Sequence, residues 1–194
     1  MMYRDAGLKR AFDLLIGVAG LVVFGVFIIA GYLAVLLTSK GPVFFLQTRV
    51  GRNGQPFQIY KLRTMRINPA RTVNQTTNTD PEVLPVGRIL RRLKIDEMPQ
   101  MLNVISGDMS LVGPRPCLEQ TLAEMPEWAR ERFQVRPGVT GLAQVNGNIA
   151  LTWEERWRHD VHYVRACSFS LDLLVIMKTV LVVMTGEERF RRIR

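Results

Sequence analysis

The chain has 194 residues, which suffices for one compact domain with a membrane segment and excludes two full domains. Its formal net charge is +9, and 21 of its 26 basic residues are arginine, whose planar guanidinium matches pairs of phosphate oxygens. An anionic partner is therefore expected, and composition alone leaves nucleic acid, anionic lipid and a phosphorylated substrate open.

The first predicted element is a membrane helix. Residues 14–37 form a run of 24 positions without a charge. As a helix this run is about 36 Å long, more than the ~30 Å hydrocarbon core of a bilayer. The run is too long for a signal peptide and no small-residue cleavage site closes it. We therefore expect two regions, a membrane-inserted helix over residues 1–40 and a cytoplasmic domain over residues 41–194.

The flanks of this helix leave its topology open. Lys and Arg are retained on the cytoplasmic side of a membrane. Here both flanks are basic, with Arg4, Lys9 and Arg10 before the run and Lys40, Arg49 and Arg52 after it. A re-entrant helix would keep both ends in the cytoplasm, whereas a simple span would place the first three cations outside.

The next residues predict a β-hairpin, with strands over residues 43–48 and 57–62 and a turn at Asn53-Gly54. A polar stretch over residues 68–81 is expected to be a mobile surface loop. A short basic helix follows over residues 86–94. A further helix begins close to Asp96, where Pro99 falls in its first turn, and runs toward Ser106-Gly107.

The remaining elements are mostly helical. The segment Gly113-Pro114-Arg115-Pro116 predicts a stiff extended loop, because proline cannot continue a helix. One or two helices interrupted at Pro126 are expected over residues 118–134. A capping box at Thr152 and Glu155 starts another helix. The last helix, over residues 171–184, is too short to span a bilayer, so we expect it to lie on the membrane or to pack in the core.

Asp96 and Glu97 are the principal candidates for chemistry. Adjacent carboxylates at a helix start commonly serve only as caps for the helix dipole. Here, however, four cations precede the pair, Arg115 follows it between two prolines, and a helix N-terminus itself attracts anions. Carboxylates among phosphate-binding groups indicate a divalent cation shared with a diphosphate, or a carboxylate nucleophile that attacks phosphorus.

Several motifs resemble those of the monotopic phosphoglycosyl transferases, the bacterial sugar transferase family. The most specific is KIDEMPQMLNVISGDMSLVGPRP over residues 94–116. The likeness continues through KRAFD at 9–13, YKLRTM at 60–65, RPGVTG at 136–141 and QVNG at 144–147, in the family's order and over nearly the whole chain. The length is similar to that of the minimal catalytic core.

The resemblance implies a mainly α fold with a small β-hairpin, in which a re-entrant membrane helix joins a compact cytoplasmic α+β domain with interfacial amphipathic helices. It implies an enzyme of the bacterial inner membrane, with its catalytic domain on the cytoplasmic face. This enzyme would transfer a sugar 1-phosphate from a UDP-sugar to undecaprenyl phosphate, a polyprenol phosphate, and release UMP, initiating glycoconjugate synthesis. Its partners would be these substrates and membrane lipid, without nucleic acid, and a homodimer stays open.

The resemblance also implies a division of labour at the site. Asp96 would be the nucleophile that carries the phosphosugar, and Glu97 would help it to hold Mg²⁺. Lys61, Arg91 and Arg115 are the candidates for contacts with the substrate phosphates.

Two departures from the family pattern qualify these expectations. The family usually breaks its membrane helix at a Ser-Pro pair, where this chain has Gly25-Val26, so a bend must come from Gly25 and local packing. Leu142 and Asn148 stand where the family often has Trp and Arg, which leaves the identity of the sugar undetermined.

Three alternatives remain at this stage. A membrane-anchored nucleic-acid-binding module would interleave basic residues with exposed aromatics, whereas these arginines bracket carboxylates that repel a phosphate backbone. An inactive scaffold does not need an intact Asp-Glu pair. A transferase that joins acceptor to donor directly, without a covalent intermediate, is the remaining enzymatic alternative.

Overall fold

The computed structural model describes Tyr3 and residues 7–68 and 80–185. The predicted loop over residues 68–81 therefore falls almost wholly outside the described residues, as does Arg4. The described part is mostly helical with short strands, as expected. Its longer elements are α1 (Gly7–Thr38), β1 (Phe44–Val50), β2 (Pro56–Leu62), α2 (Pro85–Arg92), α3 (Met101–Ser106), α6 (Trp153–Ala166) and α7 (Phe169–Thr185). The shorter ones are β3 (Ser110–Val112), α4 (Gln120–Glu124), β4 (Gly138–Thr140) and α5 (Leu142–Val145).

Helix α1 contains the predicted apolar run and extends it toward the N-terminus. Within the described residues it is the one helix long and apolar enough to cross a membrane, and only 11% of its most apolar window is buried. Its helical structure continues through Gly25-Val26. Both ends contact the domain, since Lys9 and Asp13 are buried near one end and Gly31 and Val35 near the other.

The predicted hairpin is confirmed. Strands β1 and β2 pair antiparallel in a register that runs from Phe44 opposite Leu62 to Val50 opposite Pro56. At the turn, Asn53 has φ 56° and Gly54 has φ 77°, and asparagine and glycine tolerate this left-handed conformation best. The returning strand β2 carries Lys61 toward the middle of the domain.

A second, parallel strand pair was not expected. Strand β3 pairs with β4 in a register that sets Ser110 opposite Gly138. Glycine allows the backbones to meet, because a Cβ on Gly138 would lie 2.1 Å from the backbone nitrogen of Gly113. Each strand has three residues, too few to carry a period-two pattern that sequence could reveal.

The main core lies between the hairpin, α3, β3 and the two C-terminal helices. Buried Asn103 fixes α3 to β2, because its Oδ1 accepts a hydrogen bond from Tyr60 N (3.1 Å) and its Nδ2 donates to Gln58 O (2.7 Å). A separate cluster joins α1 to β2 and α2; its buried members are Val35, Val43, Leu62 and Leu90. The main core thus fixes α3 to β2, and the second cluster fixes α2 to β2. The residues that link α2 to α3 are therefore held at both ends.

The C-terminal helices agree with the sequence in outline. The capping box of α6 is confirmed, since Thr152 and Glu155 bond reciprocally. Helix α7 has 17 residues and buries Asp172, Val175 and Val182. It therefore packs in the core along one side, while large apolar side chains on its other faces stay exposed, including Leu173, Leu174, Met177, Val180 and Leu181.

Candidate active site

Asp96 and Glu97 lie on a short 3-10 helix, Ile95–Gln100, which we call the Asp96 helix. Lys94 has φ 57° and separates it from α2, and α3 continues it directly until Gly107, whose φ of 96° ends the helix. The expected helix start near Asp96 is confirmed, although its first six residues form a 3-10 helix. Because the clusters described above fix α2 and α3, the Asp96 helix has a defined position between them.

The Glu97 carboxylate is held by two cations. Its Oε1 accepts a hydrogen bond from Lys61 Nζ at 2.6 Å and from Arg115 Nη2 at 2.7 Å. Burial alone would raise the pKa of Glu97, but Arg115 and Lys61 outweigh it and hold that pKa well below its usual range. Glu97 is therefore ionised at neutral pH and binds side chains rather than capping the helix.

Asp96 lies in a different environment. It is only 8% exposed, and its Oδ1 is buried with no hydrogen-bond partner among the described residues. Burial raises its pKa, and the charge of Glu97 adds to this, whereas Lys61, Arg91 and Lys94 act against it. An unpaired buried oxygen costs about 1–3 kcal/mol, so a carboxylate in this state calls for a functional explanation.

The three predicted phosphate-binding residues surround the pair. Lys61 and Arg115 contact Glu97 from β2 and from the loop after β3. Arg91 approaches from α2, where its Nε donates to Thr64 Oγ1 (2.8 Å) and its charge lowers the pKa of Asp96. Elements far apart in the chain thus bring three cations and two carboxylates together.

A further arginine that sequence reasoning did not assign lies beside Arg115. Arg49 on β1 donates to Pro116 O at 3.3 Å and to Gln47 Oε1 at 2.6 Å. Burial, followed by the charge of Arg115, lowers the pKa of Arg49 to about 10. With this pKa, Arg49 remains charged at neutral pH and adds positive charge to this side of the site. In the sequence its nearest basic residue is Arg52, three positions away, which is a weak signal for a site.

A buried polar network connects α1 to α7 and β3. Lys9 Nζ lies 3.1 Å from Asp13 Oδ1 and 2.7 Å from Asp172 Oδ2, and all three side chains are buried. Asp13 also accepts hydrogen bonds from Ser110 Oγ (2.8 Å) and Leu111 N (3.1 Å). The KRAFD motif therefore fixes the N-terminal end of α1 to the strand that leads into the loop of Arg115. In the sequence, the one indication of this network was Asp172, an aspartate within the apolar sequence of α7.

Asp96 and Glu97 are the residues that could hold a magnesium ion together with a substrate. The described residues contain no group of three or more His, Cys, Asp or Glu side chains that could hold a metal by itself. Mg²⁺, however, is usually bound by one or two carboxylates together with substrate phosphates and water. Asp96 and Glu97 supply these two carboxylates, and the unpaired Oδ1 of Asp96 is an available ligand atom.

Comparison with known proteins gives a consistent result. The model of a family described as bacterial sugar transferase matches residues 4–186. The chain is 43% identical over 180 residues to "Uncharacterized sugar transferase EpsL" of Bacillus subtilis (strain 168), covering 93% of this chain and 89% of that protein. It is 41% identical over 192 residues to the UDP-glucose:undecaprenyl-phosphate glucose-1-phosphate transferase of Caulobacter vibrioides, covering 94% of this chain and 72% of that protein. A protein of the same name from Escherichia coli (strain K12) is 38% identical over 182 residues, which are 89% of this chain and 39% of that protein.

Proposed function

The chain belongs to the bacterial sugar transferase family of phosphoglycosyl transferases, and we propose that it moves a sugar 1-phosphate from a UDP-sugar to undecaprenyl phosphate and releases UMP. The relatives' names support both substrates. The observation that carries the proposal is the buried, unpaired oxygen of Asp96 beside a carboxylate that two cations hold. This arrangement suits a carboxylate nucleophile among phosphate-binding groups.

In the first step, an oxygen of Asp96 attacks the phosphorus that carries the sugar. A new bond forms between this oxygen and phosphorus, and the bond from phosphorus to the bridging oxygen breaks. UMP leaves with the electron pair, and the phosphosugar remains on Asp96 as an acyl phosphate. Because Asp96 is poorly solvated, its oxygen loses little water before it attacks.

The neighbouring cations favour this step by binding the donor's negative charge. Lys61 and Arg115 hold Glu97, and the positive charges of Lys61 and Arg91 also act on Asp96. Positive groups that are already fixed before the reaction stabilise developing charge without reorganisation. Mg²⁺, which Asp96 and Glu97 would hold together with the donor's phosphates, would neutralise diphosphate charge that otherwise repels a carboxylate.

In the second step, a phosphate oxygen of undecaprenyl phosphate attacks the phosphorus of the intermediate. The bond between this phosphorus and Asp96 breaks, and the carboxylate leaves with the electron pair. The product is a sugar linked through a diphosphate to the lipid, and the enzyme returns to its starting state. Only one donor or acceptor needs to occupy the site at a time, which gives ping-pong kinetics.

The acceptor is a lipid, so the proposal includes a membrane location with α1 as a re-entrant helix. The exposed apolar middle of α1 supports membrane insertion. The buried contacts of Lys9 near one end and Val35 near the other support a topology in which both ends stay with the domain. A straight span would separate these ends by the ~30 Å core. We place the domain on the cytoplasmic face of the inner membrane, where nucleotide sugars are available.

The proposal is tested by assaying UMP release. Purified protein with Mg²⁺ is supplied with undecaprenyl phosphate and a panel of UDP-sugars. We expect UMP release with at least one sugar, together with a lipid product that carries the sugar diphosphate. Release of UDP instead of UMP, or no reaction with any UDP-sugar, would contradict the proposed reaction.

A further inference from the structure

The Pro-Arg-Pro loop, Pro114-Arg115-Pro116, is held almost entirely through its carbonyl groups. The two prolines have no N–H group to donate, so the carbonyl oxygens must supply most of the backbone hydrogen bonds. Each carbonyl from residue 114 to residue 117 has a donor. Backbone nitrogens serve the outer two, Pro114 O from Gly138 N (2.9 Å) and Cys117 O from Val50 N (3.0 Å).

The inner two carbonyls are held by arginine side chains. Arg49 Nη1 donates to Pro116 O at 3.3 Å. Arg132 Nη2 donates to Arg115 O at 2.6 Å. The Arg132 contact is the shorter, and it acts on the residue whose side chain reaches the site. The position of Arg115 therefore depends on where the Arg132 guanidinium lies.

Asp160 fixes the Arg132 guanidinium. Arg132 lies on a 3-10 helix, Glu127–Gln134, and Asp160 on α6. Asp160 Oδ2 accepts from Arg132 Nε at 3.0 Å and lies 2.9 Å from its Nη2, and both side chains are buried. A buried ion pair contributes little net stability compared with apolar residues of similar size. The pair does fix the orientation of the Arg132 side chain, because the planar guanidinium cannot rotate without losing several hydrogen bonds.

These contacts form a continuous series that ends at the carboxylate pair. Asp160 orients Arg132, Arg132 holds the carbonyl of Arg115, and Arg115 Nη2 donates to Glu97 Oε1 at 2.7 Å. We propose that Arg132 and Asp160 are a positioning pair that aims Arg115 at Glu97 and at the phosphates of the substrate. The inference rests on the proposed function for the role of Arg115. The pair has no bond to Asp96 or Glu97, so neither member is a catalytic residue.

The chain provides a matched control. Glu131 neighbours Arg132, and it forms an ion pair with Arg165 of α6, with Nη2 2.7 Å from Oε2. This pair joins the same two helices as Arg132 and Asp160 but is more exposed, with the Arg165 side chain 66% and the Glu131 side chain 24% accessible. Changing Glu131 thus removes a link between the helices without touching the support of Arg115.

The test is a double-mutant cycle on UMP release. Arg132→Lys keeps the positive charge but loses the planar set of N–H donors, and Asp160→Asn keeps the shape but loses the negative charge. Each is expected to lower kcat by about 10- to 100-fold in the native background, as misplacement of a binding group by about 1 Å does. In an Arg115→Ala background the same changes should alter kcat by less than about twofold, because the residue being aimed is gone. Glu131→Gln should leave kcat unchanged in the native background.

A second readout does not depend on activity. Hydrogen exchange of the peptide that contains the Pro-Arg-Pro loop should accelerate in Arg132→Lys and Asp160→Asn but not in Glu131→Gln. If the wild type releases no UMP from any UDP-sugar, the proposed function fails, while the exchange comparison still decides whether the pair holds the loop.

Three results would overturn the inference. One is an equal loss of kcat in the native and Arg115→Ala backgrounds. Another is a loss that follows a lower melting temperature, or failure of both variants to fold, because the pair would then serve stability alone. The third is unchanged exchange of the loop in both variants.

Discussion

Asp96 and Glu97 are neighbours in the chain but occupy opposite electrostatic environments. Burial raises the pKa of Asp96, and Glu97 adds to this effect. Burial also acts to raise the pKa of Glu97, but Arg115 and Lys61 overcome it and lower that pKa well below its usual range. Two carboxylates with divided surroundings commonly have divided roles. This difference supports the proposal that Asp96 is the nucleophile and that Glu97 helps to hold the metal ion.

Replacing Asp96 is expected to abolish turnover. Asp96→Asn retains the shape but cannot attack phosphorus as a carboxylate, so kcat for UMP release should fall by at least about 10³-fold. Glu119→Gln changes an exposed carboxyl group outside the site and serves as the control, which should retain full activity. Substantial turnover by folded Asp96→Asn would favour direct transfer from donor to acceptor.

The two cations on Glu97 are expected to differ in their effect on stability. The Lys61 side chain is 17% exposed and that of Arg115 is 44% exposed, although both bind Oε1. Lys61→Met removes the more buried of the two partners and leaves the buried Glu97 carboxylate with Arg115 alone, so it should lower the free energy of unfolding by about 3 kcal/mol. Arg115→Met breaks a pair close to solvent and should cost about 1 kcal/mol or less. Denaturation in detergent measures both, and equal losses would argue against the burial difference.

Removal of divalent metal is expected to stop the reaction. Chelation with EDTA should abolish UMP release, and Mg²⁺ should restore it, because the donor's diphosphate otherwise repels Asp96. Glu97→Gln removes one of the two proposed ligands, so this variant should need a higher Mg²⁺ concentration for half-maximal activity. Full turnover of the wild type in EDTA would show that the carboxylates do not work through a metal.

Two glycines on α1 provide a paired test of how this helix packs. A Cβ on Gly31 would lie 2.8 Å from Leu62 Cδ1 and 3.2 Å from Ile95 Cγ2, whereas a Cβ on Gly25 would meet nothing within 4 Å. Gly31→Ala should therefore push α1 away from the Asp96 helix and lower stability by about 1–3 kcal/mol. Gly25→Ala should be neutral or raise stability by up to about 1 kcal/mol. The test is to measure the melting temperatures of both variants in detergent. Equal melting temperatures would contradict the close packing of α1 at Gly31.

The membrane topology has its own test. A cysteine at Gly7, which is exposed and has no side chain nearby, should not react with an impermeant maleimide added outside intact spheroplasts. It should react after permeabilisation, which is the positive control. Labelling before permeabilisation would indicate a straight span and would rule out the re-entrant helix.

Local sequence patterns predicted much of the fold. The uncharged run predicted α1, Asn53-Gly54 predicted the hairpin, and Pro99 and Gly107 predicted the helix that begins near Asp96. Pairing of β3 with β4 could not be predicted, since three-residue strands carry no pattern and the partners are distant in the chain.

The residues of the candidate site could be proposed from the sequence, but their connections could not. The family resemblance proposed Asp96, Glu97 and the cations, whereas spacing alone would have favoured a helix cap. The supporting contacts of Asn103, Arg132 and Asp160 were missed, because each depends on which elements meet in three dimensions. A buried polar residue looks like any surface residue until its partners are known.

The most direct test of the account is to look for the phosphosugar on Asp96. Purified protein is mixed with Mg²⁺ and a UDP-sugar, without lipid acceptor, and intact mass and peptide mass spectrometry follow. We expect an added mass of one sugar phosphate on the peptide that contains Asp96, its loss when undecaprenyl phosphate is added, and no adduct in Asp96→Asn. Turnover of the full reaction with no adduct on this peptide, and with Asp96→Asn as active as the wild type, would contradict the covalent mechanism.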